Sequence, residues 1–220
     1  MREDKLVNEL SYPLVLDVSS PTVQTGIALS SGWDKLTSSQ NQPMDGLFQC
    51  IEQLNIDLNK IDSLFFCAGP GSTLGLRLVL AFVKTVQWKI GSKLKLFSYN
   101  ALDLACKMTD APPLFVQAPF RMGWRLVRSS PDKQAIGKKK IFESEEALEK
   151  FPDSVHLPNA RSKDHPLASG EMLDYNLNKI SGLTDLLPVS ELVIEPKIYS
   201  PRPPEFKKWN PKIKFLSPDK

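Results

Sequence analysis

The hydrophobic positions in the first half of the chain form two kinds of pattern. Short continuous apolar runs of strand length occupy Leu14–Val18, Thr25–Leu29, Ile61–Ala68 and Lys95–Tyr99. Apolar residues three and four positions apart, as on an amphipathic helix, occupy Met44–Leu54, Leu76–Ile90 and Ala101–Lys107. Strands that alternate with helices predict an α/β lobe built on a partly parallel sheet.

The second half of the chain is rich in proline, which interrupts helices and marks turns and sheet edges. Of the 18 prolines, 14 lie at or beyond Pro112, so we expect a lobe of residues 1–110 and a second lobe of residues 111–220. Strands are predicted in the second lobe at Leu114–Ala118 and Trp124–Arg128.

Two helices and a tail complete the prediction for the second lobe. Ser144 can cap a helix whose first turn carries Glu145 and Glu146, which interact favourably with the helix dipole. A longer helix is predicted over Leu167–Leu183, and about the last forty residues are expected to run extended along the surface.

Composition is that of an ordinary globular protein. The chain has 220 residues, of which 41% are hydrophobic and 24% charged, and this excludes a disordered or fibrous protein. No apolar run approaches the roughly 18 residues of a membrane-spanning helix. The polar start MREDKLVNELSY is unlike a secretory signal, so we expect a cytoplasmic protein. A net charge of +3 does not by itself indicate nucleic-acid binding.

Cysteine and histidine usage argues against several kinds of site. Cys50, Cys67 and Cys106 form no CxxC pair, so we expect buried, reduced thiols rather than a disulfide scaffold or a zinc site. The two histidines, His156 and His165, belong to no HExxH motif, and no Ser/His/Asp set is apparent.

The sharpest local feature is the glycine loop 69–75, GPGSTLG, between a predicted buried strand and a predicted helix. Glycine allows a ligand to approach the backbone, and amides at a helix start favour an anion. The loop matches neither the P-loop nor GxGxxG. Gly69, Gly71 and Ser72 therefore indicate either a phosphate site or a tight structural turn.

Asp17 ends the first predicted strand and is followed by Ser19 and Ser20. A carboxylate at this point could position a metal-bound phosphate or a water molecule. It could equally cap the turn by accepting hydrogen bonds from nearby amides. We regard Asp17 and Ser19, with the glycine loop, as the candidate anion or nucleotide site.

The helix after the glycine loop is apolar nearly all round, since ten of the 16 residues from Gly75 to Ile90 are hydrophobic. Such a helix must be buried on more than one side. Either it lies in the centre of the core, or one face meets another protein chain. The candidate partner face is formed by Leu76, Arg77, Leu80, Val83 and Lys84.

Two groups of lysines could contact the phosphate backbone of a nucleic acid. One is Lys138–Lys140, and the other is Lys207 and Lys208 with Lys212 and Lys214. Solvated loops explain these groups equally well.

Several segments resemble the TsaB (YeaZ) family. Val15–Pro21 (VLDVSSP) resembles its opening LDTSTP, and Ala68–Arg77 (AGPGSTLGLR) resembles its signature GPGSFTGLR. Ala81 and Lys84 fall where the family has LATAKGLA. Residues 99–105 are similar to its segment SSLEALA, and residues 196–202 to its segment PLYLR. The order and spacing match across nearly the whole chain.

The resemblance implies an actin-like fold of the ASKHA (ribonuclease H-like) class, with two lobes of which the C-terminal one is reduced. It also implies a part in making N6-threonylcarbamoyladenosine beside the anticodon of tRNA. TsaB-like proteins are non-catalytic partners of TsaD, the subunit that binds metal and transfers the threonylcarbamoyl group. They pair through the helix after the glycine signature, and an ATPase, TsaE, joins them. No cofactor of its own and only indirect tRNA contact are therefore implied.

The chain departs from related patterns at several places. TsaD-like proteins carry HxxxH after the glycine region, whereas Tyr99–Thr109 contains no histidine, which favours the non-catalytic interpretation. Thr73-Leu74 replaces Phe-Thr in the signature, and Gln87-Trp88 stands where the family has small residues. The family's second-lobe motif DARRGEVY has lost its aspartate and survives as QAPFRMGW at 117–124.

Two other functions stay open at this point. One is a small ASKHA nucleotide hydrolase or kinase that binds ATP or ADP with Asp17 and the glycine loop. The other is a self-associating protein, a homodimer that has left the tRNA pathway.

Overall fold

The structure is a computed structural model that describes residues 9–111, 113–130, 135–158 and 171–200. Two sheets organise it. The first contains β1 (Pro13–Asp17), β2 (Val23–Ala28), β3 (Trp33–Ser39), β4 (Ser63–Gly69), β5 (Lys95–Asn100) and β10 (Ser190–Val193). The second contains β6 (Phe115–Arg121), β7 (Trp124–Ser129), β8 (Lys138–Glu143) and β9 (Val155–His156). The α-helices are α1 (Pro43–Leu54), α2 (Thr73–Ile90), α3 (Ala101–Ala105), α4 (Ser144–Lys150) and α5 (Leu183–Leu186).

The first sheet is mixed, with the strand order β10-β5-β4-β1-β2-β3. β4 runs parallel to both β1 and β5, while β2, β3 and β10 join antiparallel. Parallel neighbours need a crossover connection, and α1 and α2 lie in the crossovers that lead into β4 and β5. The partly parallel sheet predicted from the sequence is confirmed.

Both faces of the first sheet are buried, since successive strand residues point to opposite sides. Leu14 and Leu64 belong to the core beneath α1 and α2. Val15 and Phe65 belong to the second core, which contains α3 and residues from the second half of the chain. Phe65 stacks on Phe97 of β5 with ring centroids 4.5 Å apart. This two-sided burial explains why β1 and β4 are continuous apolar runs rather than alternating ones.

The second sheet has the order β8-β7-β6-β9 and shares a core with the first. Val116 and Leu126 lie in the core cluster that also contains α3. On the other side of the sheet, Phe115 and Phe142 pack against Phe151, which follows α4. The second sheet therefore has α4 on one face, and on its other face it packs against α3 and the core that it shares with the first sheet.

The predicted strands and helices of residues 1–110 are all present, with ends shifted by a few residues. Four strands were not predicted. β3 (WDKLTSS) and β8 (KKKIFE) have mostly polar sequences, and β9 has only two residues, Val155–His156. The fourth, β10, pairs with β5, so a strand from the second half completes the first sheet. The lobe boundary at residue 111 stays a prediction.

The predicted helix over Leu167–Leu183 is wrong in its described part, residues 171–183. That segment holds a bridge at Met172, a 3-10 helix at Leu177–Lys179 and only the start of α5. The Gln24 side chain donates to the Tyr175 carbonyl at 3.2 Å and accepts from the Leu177 amide at 2.8 Å. These bonds replace the hydrogen bonds that a helix would make within itself.

The helix predicted from Ser144 exists as α4, with Glu145 and Glu146 in its first turn. Ser144 is nevertheless not its cap. It is the first helical residue, and its amide donates to the Gly123 carbonyl at 2.9 Å. The capping position belongs to Glu143, whose side chain makes no capping hydrogen bond.

The tail is only partly extended. Residues 183–193 contain α5, a 3-10 helix and β10, which contradicts the extended tail, whereas 194–200 contain no helix or strand. His165, the end of the segment similar to PLYLR, and the lysines from Lys207 onwards lie outside the described residues.

A buried ion cluster joins α3 to the second sheet. The Asp103 carboxylate lies 2.7 Å from Arg128 of β7 and 2.5 Å from Lys139 of β8, and it accepts from the Gly137 amide at 2.9 Å. Arg128 and Asp103 are each only 2% exposed. Lys139, the middle residue of the predicted lysine run, is thus an internal partner rather than a surface cation.

Replacing Asp103 with Ala is expected to lower the free energy of unfolding by about 3–5 kcal/mol, because it leaves two buried cations without their shared carboxylate. Urea unfolding monitored by circular dichroism measures this. As a control, Asp174→Ala removes an exposed partner of Lys179 and should change stability by about 0–1 kcal/mol. Equal, small losses in both variants would show that the Asp103 cluster does not stabilise the packing of α3 on the second sheet.

Candidate functional site

The glycine loop lies between the end of β4 and the start of α2. Gly69 has φ +116°, a conformation that favours glycine, and turns the chain out of the strand. Ser72 precedes the first turn of α2, and its Oγ accepts from the Gly75 amide at 3.2 Å. The loop therefore carries an ordinary serine N-cap, whose hydroxyl is already used within the helix.

The remaining glycines of the loop are required by packing against the turn after β1. A Cβ atom on Gly71 would lie 2.3 Å from the Ser19 carbonyl oxygen, and one on Gly75 would lie 2.1 Å from the Val18 carbonyl oxygen. The Ser72 amide donates to the same Ser19 carbonyl at 2.8 Å. Loop and turn are consequently in backbone contact.

Asp17 is completely buried at the end of β1 and accepts four hydrogen bonds. Its Oδ1 accepts from the Ser19 amide at 2.9 Å and from the Ser19 hydroxyl at 2.6 Å. Its Oδ2 accepts from the hydroxyls of Tyr99 at 2.9 Å and Tyr175 at 2.7 Å. A metal ion or a phosphate group could reach this carboxylate only by displacing those donors.

The two tyrosines remain donors over a wide pH range. Burial raises the pKa of both Tyr99 and Tyr175 well above the usual value of 10, and the negative charge of Asp17 raises it further. The same two causes raise the pKa of the neighbouring Cys67 thiol. All three groups are therefore protonated at neutral pH.

A small cavity of about 100 Å³ opens beside the glycine loop. Its walls are Gly69, Pro70, Gly71, Thr73, Leu76, Phe120, Ile198 and Tyr199. The Tyr199 amide donates to the Ala68 carbonyl at 2.9 Å, so the chain after β10 closes one side of the cavity. Within the described ranges, no group of three or more His, Cys, Asp or Glu side chains is arranged to hold a metal ion.

The structure brings the predicted site residues together. Asp17, Ser19, Gly71 and Ser72 meet where the turn after β1 contacts the glycine loop, and Gly69 begins that loop. Their polar groups are bonded mainly to one another, as a structural turn requires. Anion binding at these residues stays a prediction.

The sequence did not predict a second buried polar network, inside the smaller sheet. Arg125 donates to the Gln117 side-chain carbonyl at 2.8 Å and to Nδ1 of His156 at 2.7 Å. A guanidinium group can only donate, so Nδ1 accepts and the ring proton lies on Nε2, 3.3 Å from the Ser154 hydroxyl. This imidazole cannot take the serine proton, so the Ser154–His156 pair is not a nucleophile and its base. Gln117 lies in the segment that departs from the DARRGEVY motif, and this departure was the feature of the sequence that could have indicated the network.

The predicted partner face on α2 divides between core and surface. Leu76 and Val83 are buried in the chain's own core, and Leu80 is half-buried. Arg77 and Lys84 are exposed. Neither α2 nor any other helix in the part of the chain that the structure describes is long and apolar enough to cross a bilayer.

Three further residues, which the prediction left out, carry the exposed apolar side of α2. Leu74 is 64% exposed, Trp88 is 87% exposed, and Ala81 is also exposed. They follow one another at seven-residue steps, and Arg77 and Lys84 lie beside them. We call these five residues the α2 stripe. Their periodicity is readable in the sequence, but the direction in which α2 faces the sheet is not.

A mixed six-stranded sheet with helices on both faces, joined to a smaller second sheet, is the arrangement of an actin-like (ASKHA) fold. The chain is similar in structure to YeaZ from Pseudomonas aeruginosa, with TM-score 0.51 and 12% identity over 82% of this chain and 90% of that chain. A second structure, of a protein from Pseudomonas aeruginosa with similarity to peptidase YEAZ, gives TM-score 0.51 and 14% identity over the same shares.

An exopolyphosphatase from Cytophaga hutchinsonii aligns over 67% of this chain and 66% of its own, but its TM-score of 0.35 is too low to carry an argument. No protein-family model matches the chain, and no curated protein sequence matches it at a significant level. The likeness at 12–14% identity shows the fold, and the fold that the sequence resemblance implied is confirmed.

Replacing Tyr175 with Phe is expected to lower the free energy of unfolding by about 1.5–3 kcal/mol at pH 7, because a buried carboxylate loses a donor. The native phenols have raised pKa values, so above pH about 10 the unfolded chain loses protons that the native chain keeps. Stability should therefore fall as pH rises beyond 10, and less steeply in Tyr175→Phe. Urea unfolding between pH 7 and 11 measures both effects. Tyr12→Phe is the control, and an equal pH slope in both variants would contradict the assignment.

Replacing Gly75 with Ala is expected to destabilise the protein by about 3 kcal/mol without any ligand, because the added Cβ would overlap the Val18 carbonyl. Thermal unfolding without nucleotide measures this. Ser72→Ala, which removes only a capping bond, should cost about 1 kcal/mol. A normally stable Gly75→Ala protein would show that packing does not explain this glycine.

Proposed function

We propose that this chain is a non-catalytic scaffolding subunit of the complex that forms N6-threonylcarbamoyladenosine in tRNA. It dimerises with a TsaD-like catalytic subunit through the exposed side of α2. The observation that carries the proposal is the α2 stripe: three apolar side chains and two cations on the surface of the helix that follows the glycine loop, within a YeaZ-like fold.

The geometry of the α2 stripe supports a helix-to-protein contact. Residues at seven-residue steps lie almost in line along a helix, so Leu74, Ala81 and Trp88 share one side of α2. Ala81, at its middle, lets another backbone approach closely. Large apolar side chains this exposed are expensive to keep in water, and a partner that covers them is stabilised by their burial.

The surroundings of Asp17 support a scaffolding role over an enzymatic one. Its two oxygens already accept four hydrogen bonds from Ser19, Tyr99 and Tyr175. The proton on Nε2 of His156 also prevents this imidazole from acting as a base toward Ser154. Neither site offers a group that is ready to activate a water molecule or a substrate hydroxyl.

The remaining members of the complex follow from the resemblance to the TsaB family. A TsaE-like ATPase joins the pair, and ATP or ADP is handled by the partner subunits rather than by a cofactor site of this chain. The tRNA is contacted through the complex, and the complex is cytoplasmic. These parts of the proposal rest on the family resemblance, and the α2 stripe supports the pairing itself.

Pairing can be tested by purifying this chain with the TsaD-like protein of the same genome and measuring their affinity. Ala81→Asp is expected to weaken binding at least tenfold, because it places a charge in the middle of the apolar strip, while leaving the isolated chain folded. Ala81 gives a cleaner test than Leu80, which is half-buried.

Asn178→Asp is the matched control, because it adds the same charge at an exposed position far from the α2 stripe. Its neighbour Leu177 belongs to the core on the side of the first sheet opposite to α2. Wild-type chains that bind only one another would support a homodimer outside the pathway. Normal N6-threonylcarbamoyladenosine in the tRNA of cells that lack this chain would contradict the proposal.

A further inference from the structure

The cavity beside the glycine loop is bounded by three separate parts of the chain. The glycine loop forms one side, together with Thr73 and Leu76 of α2. Phe120 of β6 forms the second side, and the segment after β10 forms the third with Ile198 and Tyr199. We call this space of about 100 Å³ the loop cavity.

The walls of the loop cavity are held by contacts within the chain. The Tyr199 amide donates to the Ala68 carbonyl at 2.9 Å. Leu76 belongs to the core that the two sheets share, and Phe120 and Ile198 pack against that core. Walls held in this way resist collapse, so an apolar group that enters the loop cavity gains packing contacts.

Size and lining restrict what the loop cavity can receive. Small-molecule sites commonly measure about 300–1,000 Å³, and an apolar cavity of about 150 Å³ takes benzene. The loop cavity, at about 100 Å³, is smaller than either. Among the described residues, no charged side chain lines it, and the neighbouring Ser72 hydroxyl already accepts from the Gly75 amide. A phosphate group or a nucleotide base therefore does not fit, whereas one aliphatic side chain does.

The loop cavity lies at the start of the α2 stripe. Gly71 and Thr73 are exposed members of its lining, and Leu74, the first residue of the α2 stripe, directly follows Thr73. Arg77, also in the α2 stripe, lies four residues after Thr73, and residues four apart on a helix are neighbours on its surface. A protein that covers the start of the α2 stripe therefore lies against the rim of the loop cavity.

We propose that the loop cavity receives one aliphatic side chain, of the size of valine, leucine or isoleucine, from the TsaD-like subunit that covers the α2 stripe. This inference rests on the proposed function and adds an anchoring contact to it. A side chain that fills a well-packed pocket commonly carries a large share of the energy of an interface. Continuity supports this occupant, since α2 supplies both a wall of the loop cavity and the exposed α2 stripe.

The first test narrows the loop cavity and measures affinity for the TsaD-like protein of the same genome by isothermal titration calorimetry. Thr73→Phe is expected to weaken binding about tenfold or more, because the larger side chain takes up space at the rim. Thr73→Val keeps the size of the side chain and removes only its hydroxyl, so it should bind like the wild type. Ser38→Phe adds the same ring at an exposed position of the edge strand β3 and should change nothing. Equal urea midpoints show that the variants fold.

The second test observes the loop cavity itself by nuclear magnetic resonance. The full chain is labelled at its leucine and isoleucine methyl groups and mixed with the unlabelled TsaD-like protein. Nuclear Overhauser contacts from aliphatic protons of the TsaD-like protein are expected at Leu76 and Ile198, because both line the loop cavity. Weaker binding of Thr73→Phe without these contacts in the wild type would overturn the proposal.

The outcomes separate this inference from the proposed function. Binding that Ala81→Asp weakens but Thr73→Phe leaves unchanged overturns the anchoring contact and keeps the scaffold. No binding by the wild type overturns both. Self-association of the chain alone that Thr73→Phe removes, seen by sedimentation, makes the occupant a second copy and overturns the proposed partner. Shifts of the Leu76 and Ile198 methyl signals on addition of ADP and magnesium overturn the exclusion of a nucleotide, and the proposal with it.

Discussion

The burial of one carboxylate, that of Asp17, constrains the rest of this structure. Removing a carboxylate from water costs several kcal/mol unless donors replace its hydration. Here the donors come from three places: the turn at Ser19, β5 through Tyr99, and the second half of the chain through Tyr175. Because all of these donors must converge on one carboxylate, Asp17 fixes the relative positions of β1, β5, the turn at Ser19 and the segment that contains Tyr175.

The glycine loop follows from that constraint. Once Ser19 is held by Asp17, its carbonyl takes the Ser72 amide and leaves no room for a side chain at Gly71. The glycines of this loop thus allow two backbone segments to pack against each other. The same arrangement directs the start of α2, so the loop fixes the position of the helix that follows it.

The two sides of α2 have different surroundings. Val79 and Val83 close the core of the first sheet, while the α2 stripe is left at the surface. Gln87 in the last turns of α2 donates to the carbonyl of Ile194, directly after β10, so the second half of the chain also contacts this helix.

The sequence alone determined the elements that are buried on both sides and the loop between them. The continuous runs of β1 and β4 and the period of α1 and α2 are local patterns, so they could be predicted, as could the neighbourhood of Asp17 and Gly71. Tertiary structure decided what depends on distant partners. Gln24 hydrogen-bonds to the backbone of residues 171–183, which therefore do not form the predicted helix. In the same way, β10 pairs with β5, and the Tyr175 hydroxyl donates to Asp17. Which side of α2 is exposed belongs to this second group, because burial is set by what packs against a helix and not by its own periodicity.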